Sequence, residues 1–184
     1  MELEDSVSII TGGASGLGEA TVRKFHALGS KVCIFDLDER NGKNLEKELL
    51  NNCVFYSVDV CNTDSINKAI NSVLDRFKKI NINVNCAGIA LAEKTLGKEG
   101  PHDLIQFKKI IDVNLIGTFN VLRLCAEQMS KNSLDKNQEK GIIINTASVA
   151  AIEGQKGQVA YAASKGGVAA MTLPIARDLA RDNI

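Results

Sequence analysis

The sequence lacks a long apolar run, an excess of charge of either sign and any paired cysteine motif. No segment approaches the roughly 18 consecutive apolar residues that a membrane-spanning helix needs, so we expect no membrane span. The 22 basic residues balance 22 acidic ones, which leaves neither a basic stripe for nucleic acid nor an acidic tail. The acidic N-terminus resembles neither a secretory signal peptide nor an Arg-rich transit peptide.

The five cysteines show none of the spacings that are typical of a zinc site or a redox pair. We therefore expect reduced thiols in an intracellular protein, and no metal site. The chain has 184 residues, which is enough for one domain with a sizeable core. Residues 1–184 are predicted to form a single domain without internal repeats.

Apolar strand-like segments alternate with amphipathic helical segments along the whole chain. Strands are predicted near residues 6–11, 31–36, 53–58, 82–86 and 140–146. Helices are predicted near residues 16–29, 39–50, 64–78, 103–131 and 158–182. This alternation indicates an α/β fold of the Rossmann type, a doubly wound parallel sheet with strand order 3-2-1-4-5. Ligands of such sheets bind at the carboxyl ends of the strands.

A glycine-rich turn separates the first predicted strand from the first helix. It reads Thr11-Gly12-Gly13-Ala14-Ser15-Gly16-Leu17-Gly18. Strand, glycine-rich turn and helix form the dinucleotide-binding arrangement, in which backbone N–H groups approach a pyrophosphate at a helix N-terminus. The spacing is Gly-x-x-x-Gly-x-Gly rather than Gly-x-Gly-x-x-Gly, and a turn that only closes a loop is the alternative.

An acidic residue, Asp36, lies at the end of the second predicted strand. This position suits an acceptor for a ribose 2′-OH, and the same carboxylate repels a 2′-phosphate. Neither Ser15 nor Leu37 supplies a basic partner for a 2′-phosphate, so NAD is favoured over NADP. Arg40 is the one nearby basic residue that argues for NADP. A solvated acid at the start of a turn is the alternative.

Tyr161 and Lys165 are the most informative pair for chemistry, because residues at i and i+4 share one face of a helix. An ordinary phenol has a pKa of ~10, and a neighbouring ammonium lowers it by stabilising the phenolate. The hydroxyl of Ser148 could hold a substrate oxygen against the tyrosine. These three groups can move a proton on and off an oxygen, which becomes redox chemistry beside a hydride acceptor.

The least regular segment, residues 92–102, is charged and lies between the fourth strand and the long helix. Two interpretations remain open. It is either a solvated loop or a rim that contacts a phosphate-bearing substrate through Lys94 or Lys98.

Together these residues resemble the short-chain dehydrogenase/reductase superfamily, and more narrowly its branch of 3-hydroxyacyl-CoA and hydroxysteroid dehydrogenases. The resemblance covers the whole chain. It rests on the glycine-rich turn, Asp59-Val60, Asn85-Cys86-Ala87-Gly88, Asn114, Ser148 and the segment from Tyr161 to Lys165. It implies an NAD-dependent oxidoreductase that interconverts secondary alcohols and ketones, with (S)-3-hydroxyacyl-CoA or hydroxysteroids as small-molecule substrates.

The resemblance also implies roles for individual residues. Tyr161 would be the acid/base, Ser148 would orient the substrate oxygen, Asn114 would anchor a water of the proton relay, and Gln158 would line the substrate pocket. Lys165 would assist Tyr161 and hold the nicotinamide ribose. The implied cofactor-binding residues are Gly12, Ser15, Gly16, Leu17, Gly18, Asp36, Asp59, Val60, Cys86, Gly88, Tyr161 and Lys165. A buried asparagine that satisfies backbone groups is the alternative for Asn114.

Similar proteins continue beyond the position of Ile184. We therefore expect residues 1–184 to form a single dinucleotide-binding and catalytic domain that is C-terminally truncated and lacks the sixth and seventh strands. The resemblance implies a homotetramer in the complete form, with helices 103–131 and 158–182 pairing across a two-fold axis. It also implies a mitochondrial location, with the cytoplasm as the alternative because no presequence is evident. Two non-catalytic alternatives stay open: a structural subunit of a mitochondrial tRNA-processing complex with protein partners, and an inactive fragment.

Overall fold

Five short strands lie side by side in one parallel sheet in the computed structural model, which describes residues 1–184. They are β1 (Val7–Thr11), β2 (Lys31–Asp36), β3 (Cys53–Ser57), β4 (Ile82–Asn85) and β5 (Ile142–Asn145). Their order is β3-β2-β1-β4-β5, which confirms the predicted doubly wound sheet. In the register, Thr11 lies beside Phe35 and Asn85, so the carboxyl ends of the strands meet at one edge.

Helices cover both faces of this sheet. They are α1 (Gly16–Ala27), α2 (Glu39–Leu49), α3 (Thr63–Phe77), α4 (Leu104–Ile111), α5 (Thr118–Met129) and α6 (Val159–Leu179). Three of them begin at a residue whose side chain accepts a first-turn N–H, namely Asp38, Asn62 and Asp103, as N-cap preferences lead one to expect. None of the helices is long and apolar enough to cross a membrane.

The core is divided between the two faces of the sheet because successive strand residues point to opposite sides. Ile9 and Phe35 pack on one face with apolar residues of α3 and α5. Ile10 and Ile34 pack on the other face with residues of α1 and α2. Full burial of one such side chain contributes roughly 1.5–3 kcal/mol. This burial on both faces explains why the strands are mainly apolar, with Ser8 of β1 and Asn83 and Asn85 of β4 as buried polar exceptions.

The long helix predicted at 103–131 is correct in extent but is not one continuous α-helix. A π-helical segment, Asp112–Gly117, separates α4 from α5. Within this segment, the Asn114 side chain accepts a hydrogen bond from the backbone N–H of Ile89 and donates one to its carbonyl oxygen. A Cβ added at Gly117 would lie 2.6 Å from Cγ2 of Val60, so the close approach of this segment to the β3–α3 turn requires glycine. These tertiary contacts leave no trace in the helical periodicity.

Candidate active site

The glycine-rich turn packs tightly against the end of β4. Gly12 has a φ of +64°, and a Cβ at this residue would lie 2.7 Å from the backbone nitrogen of Ala87. A Cβ at Gly18 would lie 2.0 Å from the carbonyl oxygen of Gly12. Ser15 precedes α1, and its side chain makes no capping hydrogen bond. The first-turn N–H groups of α1 are therefore available for an anionic ligand.

Asp36 connects this turn to the start of α2. Its Oδ2 accepts from the backbone N–H of Ala14 at 3.0 Å, and its Oδ1 accepts from that of Asp38 at 3.0 Å. Each carboxylate oxygen has a second lone pair, so both remain able to accept from a ribose hydroxyl. The sequence indicated only the ribose role, whereas the structure adds a part in holding the turn itself.

A cavity of about 620 Å³ runs along the carboxyl ends of the strands. Its lining includes ten of the predicted cofactor residues, Gly12, Ser15, Gly16, Leu17, Gly18, Asp36, Asp59, Val60, Cys86 and Gly88. Eight further lining residues were not predicted, namely Phe35, Leu37, Asp38, Val58, Ala87, Ile89, Lys109 and Val113. The first six are neighbours in sequence of predicted residues and could have been found from them. Lys109 on α4 and Val113 in the π-helical segment have no such local signal.

The β3–α3 turn, which carries Asp59 and Val60, is held by hydrogen bonds within the turn and by a hydrogen bond from α5. Oδ1 of Asp59 accepts from the N–H of Cys61 at 2.9 Å. The carbonyl oxygen of Val60 accepts from Nδ2 of Asn120, on α5, at 3.1 Å. This border of the cavity is thus fixed by hydrogen bonds before any ligand binds.

Lys165 is buried, with 5% of its surface exposed. Its Nζ donates to the carbonyl oxygen of Thr146 at 2.6 Å and lies 5.9 Å from the ring centroid of Tyr161. A Cβ at Gly88 would lie 3.8 Å from the same Nζ, so the ammonium borders the cavity where Gly88 lines it. Burial lowers the pKa of Lys165, and the nearby Cys86 thiol opposes this shift. The ammonium retains donors for a ligand because Thr146 uses only one of three.

Asn114 is fully buried, and its side chain is committed to protein groups. Oδ1 accepts from the N–H of Ile89 at 2.8 Å, and Nδ2 donates to the carbonyl oxygen of Ile89 at 2.9 Å and to Oγ of Ser164 at 3.0 Å. Ser164 in turn donates to the carbonyl oxygen of Tyr161 at 2.7 Å. This geometry matches the alternative of an asparagine that satisfies backbone groups. Ser164 was not predicted, although it directly precedes Lys165.

Ser148 and Gln158 both lie at the starts of helical segments. Oγ of Ser148 accepts from the N–H of Ala150 at 3.1 Å, which leaves its O–H proton for another acceptor. Gln158 precedes α6, and its Oε1 accepts from the N–H of Gln155 at 2.9 Å. The neighbouring side chains of Val149 and Ile152 are 74% and 91% exposed. Apolar surface therefore lies next to the polar groups of the site.

The segment 92–102 is an exposed loop, closed by an isolated bridge between Leu96 and Pro101. The backbone N–H of Glu93 donates to the carbonyl oxygen of Gly157 at 2.9 Å. The base of the loop therefore lies against the residues that precede α6.

Comparisons with known proteins agree with this fold. A family model described as short chain dehydrogenase matches residues 6–184. The 3-hydroxyacyl-CoA dehydrogenase type-2 of Homo sapiens is 51% identical over 176 residues, which are 95% of this chain and 67% of that protein. The protein of the same name from Drosophila melanogaster is 45% identical and covers 99% of this chain and 72% of its own length.

A solved structure gives the same result. The crystal structure of 3-hydroxyacyl-CoA dehydrogenase type-2 from Mycobacterium avium superimposes with a TM-score of 0.94 at 40% sequence identity. The match covers 100% of this chain and 73% of that one.

Proposed function

The chain belongs to the short-chain dehydrogenase family of oxidoreductases, and we propose that it uses NAD to interconvert secondary alcohols and ketones. The observation that carries this proposal is the Tyr161–Lys165 pair. A buried ammonium lies 5.9 Å from the phenol ring and borders the cavity at Gly88. A proton-transfer pair beside a dinucleotide-sized groove is the arrangement that alcohol oxidation needs.

The residues along the cavity fit a dinucleotide. The first turn of α1, from Gly16, offers N–H groups to a pyrophosphate, and Asp36 accepts from the adenosine ribose. Asp36 and its neighbours Asp38 and Asp59 give this end of the cavity an acidic lining, which repels a 2′-phosphate and supports NAD over NADP. The bound nicotinamide supplies the hydride acceptor for the substrate carbon.

The chain's own residues handle the proton. Tyr161 takes the substrate hydroxyl proton during oxidation, and Ser148 donates its free O–H to the substrate oxygen. Lys165 stabilises the phenolate and binds the nicotinamide ribose with the donors that Thr146 leaves free. Asn114, proposed from the resemblance to anchor a water, acts through the observed bonds as a positioning residue for Ile89 and, through Ser164, for Tyr161.

We propose 3-hydroxyacyl-CoA as the first substrate class, because the similar proteins from Homo sapiens and Drosophila melanogaster are named for it. Hydroxysteroids are the second class. The exposed apolar side chains of Val149 and Ile152 suit an acyl chain or a steroid, with Gln158 as part of the wall. Lys94 and Lys98 are exposed on the neighbouring loop and suit the phosphates of an acyl-CoA.

We further propose that residues 1–184 act as one domain within a homo-oligomer. Exposed apolar side chains on the π-helical segment, α5 and α6, namely Ile116, Phe119 and Leu173, support a helix-mediated contact between copies. The mitochondrial location and the tRNA-processing partners implied by the resemblance stay predictions.

The test is spectrophotometric. The purified chain is mixed with (S)-3-hydroxybutyryl-CoA and either NAD or NADP, and reduced cofactor is followed by absorbance. We expect turnover with NAD, much weaker turnover with NADP, and none for Tyr161→Phe with either cofactor. NAD binding measured by calorimetry without any turnover would instead favour a non-catalytic role.

A further inference from the structure

The side chain of Glu93 holds the base of the loop beside the active site, which the backbone also closes, since the N–H of His102 donates to the carbonyl oxygen of Thr95 at 3.0 Å. Oε1 of Glu93 accepts from the backbone N–H of Asp103 at 2.7 Å. Oε2 lies 3.6 Å from Nδ1 of His102. The same Nδ1 is 2.9 Å from the carbonyl oxygen of Asp103. Residues 94–102, hereafter the rim loop, are thereby joined at both ends.

Glu93 also fixes the rim loop to the helix that carries Tyr161. Its backbone N–H donates to the carbonyl oxygen of Gly157 at 2.9 Å. Gly157 has a φ of +84°, and a Cβ there would lie 3.3 Å from the nitrogen of Glu93. Gly157 directly precedes Gln158, the N-cap residue of α6. The closed base of the rim loop therefore rests on the start of the catalytic helix.

The short segment that leads to Glu93 is held at its other end too. Both backbone groups of Ile89 bind the Asn114 side chain, and Gly88 lies next to Nζ of Lys165. Residues 89–92, between Gly88 and Glu93, are exposed and include the apolar side chains of Ile89 and Leu91. The segment thus forms one border of the site, from the ammonium to the start of α6.

We propose that Glu93 is a positioning residue for substrate binding. Its carboxylate joins the base of the rim loop to Asp103, and this supports the bond by which the backbone N–H of Glu93 holds the border segment against Gly157. A substrate that extends well beyond its carbinol carbon contacts this border, whereas a short alcohol does not reach it. The substrate class rests on the proposed function, but the connection between Glu93, the rim loop and α6 does not.

Steady-state kinetics test the consequence of this connection. Glu93→Ala removes both carboxylate contacts, and loss of a hydrogen bond worth ~1 kcal/mol predicts a KM for 3-hydroxyacyl-CoA that is about fivefold higher. We expect kcat, the KM for NAD and the KM for a short secondary alcohol to stay within about twofold. Glu93→Gln should recover most of the loss, because its amide oxygen still accepts from the N–H of Asp103.

Glu99→Ala is the matched control. Glu99 is exposed at the far end of the same loop, so its replacement removes one negative charge without touching the base. If charge alone affected the binding of an anionic substrate, both alanine variants would lower KM. We expect only Glu93→Ala to raise it, and an equal effect of the two variants would overturn the proposal.

Hydrogen–deuterium exchange tests the connection without relying on activity. Glu93→Ala should speed exchange at the amide of residue 93, which donates to Gly157, and at the amides of the rim loop, whereas Glu99→Ala should not affect residue 93. Unchanged protection at residue 93 in Glu93→Ala would refute the role of Glu93. A wild-type chain that fails to oxidise any alcohol would refute the proposed function, and the exchange result would still decide for or against the connection.

Discussion

The replacement of Asp36 tests how this cavity selects its cofactor. The structure gives this carboxylate two duties, since it accepts from the backbone N–H groups of Ala14 and Asp38 at 3.0 Å each and is proposed to accept from the ribose 2′-OH. A hydrogen bond to a charged group contributes ~1.5–3 kcal/mol. Asp36→Ala should therefore weaken NAD binding roughly 10- to 150-fold and narrow the preference over NADP.

Loss of affinity alone does not separate the two duties, because a distorted turn also weakens binding. A cycle with 2′-deoxy-NAD separates them. The wild type should bind 2′-deoxy-NAD at least about tenfold more weakly than NAD if the ribose bond contributes ~1.5 kcal/mol. Asp36→Ala should bind the two cofactors nearly equally, since it lacks the acceptor.

Calorimetric titration of both proteins with both cofactors gives the four dissociation constants. If Asp36 only holds the turn, the variant loses affinity for NAD and for 2′-deoxy-NAD by the same factor. The ribose role would be refuted if the ratio of the dissociation constants for 2′-deoxy-NAD and NAD were as large in Asp36→Ala as in the wild type. Thermal unfolding measured alongside reports the separate cost of the two lost backbone contacts.

Three further predictions concern catalysis, the turn and assembly. Tyr161→Phe should keep NAD affinity and lose turnover, whereas Lys165→Ala should weaken both, as calorimetry and absorbance would show; near wild-type turnover of Tyr161→Phe contradicts the mechanism. Gly12→Ala should abolish NAD binding, and it should lower Tm by more than Gly16→Ala does. Both glycines have positive φ, but only a Cβ at Gly12 would collide with backbone atoms. Equal Tm values of the two variants would contradict this. Light scattering after size exclusion should show residues 1–184 as no more than dimers, and a stable tetramer would mean that the helix interfaces are wrongly assigned.

The fold could be predicted from the sequence because each of its determinants is local. The strands were recognised from short apolar runs, and the turn before α1 from its glycines. Asp36 was recognised because it ends β2, where a parallel sheet presents its ligands. The strand order followed from general rules of connection rather than from any particular contact. Each of these features lies within a few consecutive residues, so a single sequence is enough to reveal it.

The missed features that had no local signal depend on contacts between residues far apart in the chain. The π-helical segment exists because Asn114 binds Ile89 and because Gly117 approaches Val60. Lys109, on α4, lines the cavity together with strand-end residues that are distant in sequence. Helical periodicity does not indicate such contacts, since a buried asparagine and an exposed lysine are each compatible with an ordinary helix. Tertiary contacts therefore decided the local geometry in each case.

The active site combines both kinds of information. The i, i+4 spacing predicts that Tyr161 and Lys165 share a helix face, and in the structure the ammonium lies 5.9 Å from the centroid of the tyrosine ring. The spacing says nothing about the burial of Lys165 or about its bond to the carbonyl oxygen of Thr146. Both bear on the proposed chemistry, because a buried ammonium with free donors would act on a phenol and a ribose more strongly than a solvated one. The candidate pair can thus be read from the sequence, while its environment comes from the fold.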